Sequence, residues 1–125
     1  MITPKTKSDF GGNQVVLEIA PNVFAVYEHL QPGSLRVKGG DTVKVGAPLA
    51  KIGNTGPSLG PHLHFGLLNR PDIFTGRSLP FVIDRYTLAG TVDFAAAKGD
   101  TLPVTPNSKQ VRSVYPLYGS IQNFP

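Results

Sequence analysis

The sequence predicts an all-β domain, and three observations point to this class. Short runs rich in β-branched and aromatic residues recur, most clearly at residues 14–19 and 23–29. Glycine and proline, 14 and 12 of the 125 residues, separate these runs as tight turns between strands would. No stretch has a convincing helical pattern beyond a single turn near residues 94–98. Many short strands with tight connections are therefore expected.

The first two runs predict a β-hairpin. Val15, Leu17 and Ile19 alternate with their neighbours, as on a strand with one buried face. Pro21-Asn22 then supplies turn residues before the second run begins. On an extended strand His29 would share a face with Tyr27, at a strand end where functional side chains are common.

The following segments predict further short strands and an irregular end. Glycines on both sides of short valine and leucine runs in residues 39–53 indicate small strands with tight bends. Residues 79–83 and 85–94 supply more strand sequence, with Gly90 favouring one bulged strand or two short ones. Prolines from residue 103 onward argue against regular structure, so residues 98–125 are expected to form an extended tail. The predicted organisation is a polar lead (1–10), a β domain (11–94) and a proline-rich C-terminal tail (95–125).

Composition excludes several classes of function. The chain has no cysteine, so disulfide frameworks, thiolate zinc sites and cysteine nucleophiles are ruled out. Its formal charge of +4 comes from scattered basic residues. The sequence lacks the basic stripe interleaved with aromatic residues that would predict nucleic-acid binding. The first ten residues lack the apolar core of a signal peptide, and no run approaches the roughly 20 apolar residues of a membrane span.

The stretch at residues 53–65 carries the strongest functional signal. A loop rich in glycine and proline leads into His62-Leu63-His64-Phe65. If residues 62–68 form a strand, His62 and His64 project to the same face. Such a pair is a common way to place a metal ligand beside an acid or base. The alternative is two half-buried structural histidines on an amphipathic strand, since one short motif needs its context.

Five blocks of sequence lie in order at residues 12–18, 26–30, 40–46, 53–56 and 60–65. In order and spacing they resemble the catalytic half of the M23 metallopeptidases, the LytM and lysostaphin-like peptidoglycan endopeptidases. The resemblance covers Gly11 to about Gly90 and is more specific than the histidine pair alone.

The resemblance implies a fold and a chemistry. The fold would be a small antiparallel barrel or sandwich of the duplicated-hybrid-motif type. His64 matches a Zn²⁺ ligand, while His29 and His62 match catalytic histidines that handle the water proton and stabilise the oxyanion. The implied substrate is a peptidoglycan peptide, and the implied location is the cell envelope or outside the cell.

One part of the family pattern is missing. The other two zinc ligands of the family come from an upstream His-x-x-x-Asp motif, and here Lys5 stands four residues before Asp9. Gly66 also follows Phe65 where the family usually has a polar residue. The favoured account is the C-terminal part of a longer zinc endopeptidase, incomplete and inactive as this chain alone. The alternative is a degenerate LytM-like module that binds cell wall or regulates another hydrolase. In a third account His29, His62 and His64 hold the metal together.

The missing upstream segment also bears on assembly. Without it the sheet would have an unpaired edge, which predicts dimerisation, aggregation or coverage of that edge by the C-terminal tail.

Overall fold

The fold was analysed in a computed structural model, which describes residues 10–96, 98, 101, 103–115 and 120–123. These residues form seven β-strands and no helix, and all strand pairs are antiparallel. The predicted all-β class is therefore confirmed. The strands are β1 (Val15–Ala20), β2 (Val23–Glu28), β3 (His64–Leu68), β4 (Ser78–Leu79), β5 (Ile83–Val92), β6 (Val104–Val114) and β7 (Ser120–Asn123).

The first sheet has the strand order β1-β2-β3-β4. Its first two strands form the expected hairpin, in which Asn22 takes a left-handed φ of 59°, a conformation that asparagine tolerates in turns. Strand β2 pairs with β3 so that Glu28 lies directly opposite His64. Because β2 pairs with β3, the end of β2 beside His29 lies next to His64, although 35 residues (29–63) separate the two strands in the sequence.

Both faces of this sheet are covered by apolar side chains. Val15 is fully buried on one face, and Val16 on the other is 1% exposed. Alternation along β1 explains why neighbouring valines enter separate clusters. The first cluster contains Val15, Leu30, Leu17, Tyr27, Leu35, Val37, Val43, Leu49 and Ala50. The second contains Val16, Val26, Leu68, Phe24 and Ile73.

Residues 31–51 contribute to the first cluster without forming the small strands expected there. The structure shows turns and single backbone bonds, such as the Arg36 amide donating to the Leu49 carbonyl at 2.8 Å. Tight turns at residues 38–41 and 44–47 reverse the chain every few residues, which leaves no length for a strand ladder. The expectation of small strands in this segment was therefore wrong.

The chain beyond Pro80 forms a second compact unit, a sheet of order β6-β5-β7. The expectation of an irregular tail was wrong for residues 104–114 and 120–123, which pair with the two edges of β5. Pro106 is accommodated opposite Gly90, where a register shift interrupts the ladder and a missing amide proton costs little. That shift also confirms the predicted bulge. Residues 97, 99, 100, 102, 116–119, 124 and 125 of the expected tail and residues 1–9 of the polar lead lie outside the described residues. The predicted domain limits stay predictions.

Tyr27 gives a test of packing in the first cluster. Its ring lies 5.1 Å from that of Phe65, its cross-strand partner, and burial raises the pKa of its phenol above the ordinary 10.0. The folded chain keeps this proton where the unfolded chain loses it, so the contribution to stability is present below pH 10.0 and lost above. Ultraviolet titration of phenolate should show one high-pH step that Tyr27→Phe removes. An unchanged titration curve in that variant would contradict the assignment.

Candidate active site

Glu28 and His64 meet at one end of the first sheet. They are directly opposed across β2 and β3, so their side chains share a face. Glu28 Oε2 lies 3.3 Å from His64 Nδ1, with the Glu28 side chain 4% exposed and the His64 side chain 55% exposed. A buried carboxylate therefore lies beneath a histidine that is open to solvent.

His29 follows β2 with an unusual backbone conformation. Its φ is 59°, in the left-handed region that non-glycine residues seldom adopt. Regular alternation would place its ring on the Tyr27 face, but the ring centroid lies 5.7 Å from that of His64, which stands opposite Glu28. Its Nδ1 lies 2.7 Å from the Thr55 carbonyl oxygen. Because a carbonyl only accepts, Nδ1 donates this bond and the lone pair of the ring is on Nε2.

His62 approaches the same place from the loop before β3. It forms a single bridge with Gly53, and its ring centroid lies 4.7 Å from that of His29. His62 Nδ1 donates to the Gly60 carbonyl at 2.8 Å and lies 3.1 Å from Ser58 Oγ. This bond again assigns the lone pair to Nε2. Two imidazoles that both donate from Nδ1 thus lie side by side.

Thr55 fixes the position of His29 from the loop at residues 53–56. Its hydroxyl donates to the Leu30 carbonyl and accepts from the Asn13 amide, both at 2.9 Å, while its own carbonyl accepts from His29. Thr55 is buried, so these groups have little access to water. One threonine therefore ties the start of β1 and the end of β2 to the loop that leads to His62.

We expect Thr55→Val to lower the free energy of unfolding by about 1–3 kcal/mol, because the buried Leu30 carbonyl and the partly buried Asn13 amide lose their bonds without a change in side-chain shape. Chemical denaturation of the apo chain measures this effect. Thr55→Ser keeps the hydroxyl and is the matched control, with a smaller expected loss. Equal stability of the valine variant and the unmodified chain would contradict the role assigned to the hydroxyl.

The sequence prediction named three residues here, and the structure brings their rings together. Sequence analysis missed Glu28 and Thr55. The available signal for Glu28 was an acidic residue at the end of an apolar strand, next to a histidine. The metal group that the geometry defines is Glu28, His29 and His64, whose donor atoms lie within 4.8 Å of one another, and it does not include His62.

A zinc ion fits this set of side chains. Imidazole nitrogens and a carboxylate are usual zinc donors. Glu28 Oε1 is buried and has no hydrogen-bond partner among the described residues, as expected for a carboxylate arranged for a cation. Gly11 leaves room for this carboxylate, since a side-chain carbon at Gly11 would overlap Glu28 Oε1.

An all-β chain that gathers histidines and a buried carboxylate at the end of a sheet has the features of a metal-dependent hydrolase. The chain belongs to peptidase family M23, whose family model matches residues 1–75.

Three curated relatives match part of the chain. An uncharacterized metalloprotease of Haemophilus influenzae is 46% identical over 54 residues, covering 43% of this chain and 11% of that protein. The peptidoglycan DD-endopeptidase ShyB of Vibrio cholerae is 42% identical over 67 residues, covering 52% of this chain and 15% of that protein. The peptidoglycan DD-endopeptidase ShyC of the same organism is 34% identical over 68 residues, covering 54% of this chain and 15% of that protein.

The chain thus spans between 11% and 15% of the length of these relatives. No solved structure matches it. Within the described part of the chain, no helix is long and apolar enough to cross a membrane.

Proposed function

We propose that this chain is the zinc-dependent endopeptidase domain of a peptidoglycan hydrolase, acting on cell-wall peptides in the cell envelope or outside the cell. The observation that carries the proposal is the approach of the His62 and His64 rings to His29, at 4.7 and 5.7 Å, in a member of family M23. Two relatives named as peptidoglycan DD-endopeptidases support the substrate class.

In this proposal His64 holds the metal, and the two other histidines handle the proton. A bound Zn²⁺ ion would acidify water and polarise the scissile carbonyl. The lone pairs on Nε2 of His29 and His62 can accept the proton of the attacking water and later return it to the leaving amine. In their protonated forms the same rings stabilise negative charge on the carbonyl oxygen.

The hydrogen bonds to Nδ1 prepare both histidines for this task. Carbonyl acceptors at Thr55 and Gly60 hold each ring in the tautomer that leaves Nε2 free. His29 is 3% exposed and His62 is exposed, so one ring is fixed within the protein and the other can meet an incoming peptide. This division suits a site that binds an extended substrate on its open side.

The assay is release of peptides from purified peptidoglycan by the Zn²⁺-loaded chain. New amino termini should appear in the soluble fraction, and His64→Ala or removal of the metal with a chelator should prevent their release. The sequence-based expectation that this chain alone is inactive predicts the opposite result, so peptide release would contradict that expectation. Absence of hydrolysis would overturn the enzymatic proposal. Retention on peptidoglycan without hydrolysis would instead support the alternative, a wall-binding or regulatory module.

The edge strand predicts a further property. Strand β1 lies at one edge of the first sheet, and Ile19 on it is 52% exposed. Exposed edges favour pairing with another chain, so dimerisation remains the prediction. Light scattering should show a dimer that Ile19→Lys converts to a monomer, since a lysine on an edge opposes pairing. A monomer for the unmodified chain at all concentrations would contradict this.

A further inference from the structure

Glu28 is a charged residue in an environment that disfavours charge. It is 3% exposed, and its Oε1 has no hydrogen-bond partner among the described residues. Its Oε2 lies 3.3 Å from one basic group, His64 Nδ1, among the residues that the structure describes. Burying a carboxylate without full compensation is costly, and a bound cation is one of the few ways to compensate it.

The separation of the two side chains matches that of two ligands on one ion. Zinc–nitrogen and zinc–oxygen distances of about 2.0–2.2 Å at a tetrahedral angle place two donors about 3.4 Å apart. The observed distance between Glu28 Oε2 and His64 Nδ1 is 3.3 Å. Their opposed positions on β2 and β3 hold this spacing through backbone pairing, so no loop needs to rearrange.

We propose that Glu28 Oε2 and His64 Nδ1 are paired ligands for a divalent transition metal ion such as Zn²⁺. The inference rests on the proposed function for the role of His64 and adds a carboxylate ligand from this chain's own sequence. His29 lies within reach of the same ion, since all donor atoms of the group are within 4.8 Å of one another. Its fixed tautomer keeps Nε2 for proton transfer beside the metal.

The position of Glu28 fits this role better than a purely structural one. Val26 precedes it on the same face of β2 and packs in the second apolar cluster. An apolar residue at position 28 would extend that cluster, whereas glutamate introduces a charge. The buried carboxylate therefore lowers the free energy of unfolding of the metal-free chain, and metal binding would offset this loss.

The test is titration of the purified chain with Zn²⁺ in competition with a chromophoric chelator. We expect binding of one ion per molecule, weakened by at least about tenfold in Glu28→Gln and in His64→Ala. Glutamine keeps the shape of the side chain and removes its charge. Glu18→Gln is the matched control, because Glu18 is an exposed carboxylate on the same face of the sheet, and its affinity for Zn²⁺ should be unchanged.

Thermal unfolding supplies a second readout that does not depend on activity. Without metal, Glu28→Gln should unfold at the same or a higher temperature than the unmodified chain, because a buried charge has been removed. Its stabilisation by Zn²⁺ should be smaller, since binding to the folded state is weaker. A variant that is simply misfolded would instead lose stability in both conditions, which would contradict the inference.

The outcomes separate this inference from the proposed function. If Glu28→Gln binds Zn²⁺ as tightly as the unmodified chain while His64→Ala does not, the Glu28 ligand is refuted and the role of His64 stands. If both variants lose Zn²⁺ affinity but the loaded chain releases no peptide, the metal pair stands and the enzymatic proposal fails. An unmodified chain that binds no Zn²⁺ would overturn the inference.

Discussion

Replacement of His29 by asparagine is expected to lower peptide release from peptidoglycan by the Zn²⁺-loaded protein by about 10²–10⁴-fold, the usual contribution of a general acid or base. The imidazole is buried, with its tautomer set by the Thr55 carbonyl. Asparagine offers no group that can accept and return a proton near neutral pH. The chemical step should therefore slow while the fold and the metal remain in place.

Asparagine is the appropriate substitution because of the backbone. His29 has a φ of 59°, and asparagine tolerates the left-handed region better than alanine or a β-branched residue. Initial rates at saturating peptidoglycan measure the effect, and Zn²⁺ affinity of the variant serves as the control for site integrity. A rate within about twofold of the unmodified protein would be far below the effect of a general acid or base and would refute the role.

His62→Asn provides a companion measurement. If the two rings, 4.7 Å apart, act in one proton-transfer unit, the double variant should be hardly slower than either single variant. Independent roles would instead multiply the two losses. The pattern of rates thus reports whether His29 and His62 work together, which neither single variant can show.

The three candidate histidines could be singled out from the sequence because their signals are local. His62 and His64 belong to one short motif, and His29 ends an alternating run. Each histidine is therefore recognisable from the residues next to it. The hairpin of β1 and β2 was likewise readable from alternation and the Pro21-Asn22 turn. Local patterns did not predict that the His29 ring turns away from the Tyr27 face towards His64. That orientation depends on the left-handed φ of His29 itself.

The missed features depend on contacts between distant segments. Glu28 meets His64, its proposed partner in metal binding, only because β2 and β3 pair in a register that opposes the two residues. Thr55 matters because it contacts residues 25, 26 and 42 positions away. Strand β6 pairs with β5 despite Pro106, since the bulge after Leu88 accepts a residue without an amide proton. Such pairings are set by the folded chain as a whole and leave little trace in any one segment.

Gly12 is a position where a single methyl group should strongly disturb the residues that support the site. Its φ is 65°, and a side-chain carbon there would overlap the backbone and hydroxyl of Thr55. We expect Gly12→Ala to lower the free energy of unfolding by about 2–5 kcal/mol, from left-handed strain and from displaced packing. Because Thr55 holds His29, any folded fraction should also lose peptide release more strongly than stability alone explains.

Gly33→Ala isolates the steric part of this effect. Gly33 has a φ of 68°, close to that of Gly12, but a side-chain carbon there meets nothing within 4 Å. Its expected cost is therefore the backbone strain alone, about 1–2 kcal/mol, with peptide release unchanged. Urea denaturation of both variants measures the difference. Equal losses would mean that backbone strain accounts for the whole effect and that the contact between Gly12 and Thr55 does not support the site.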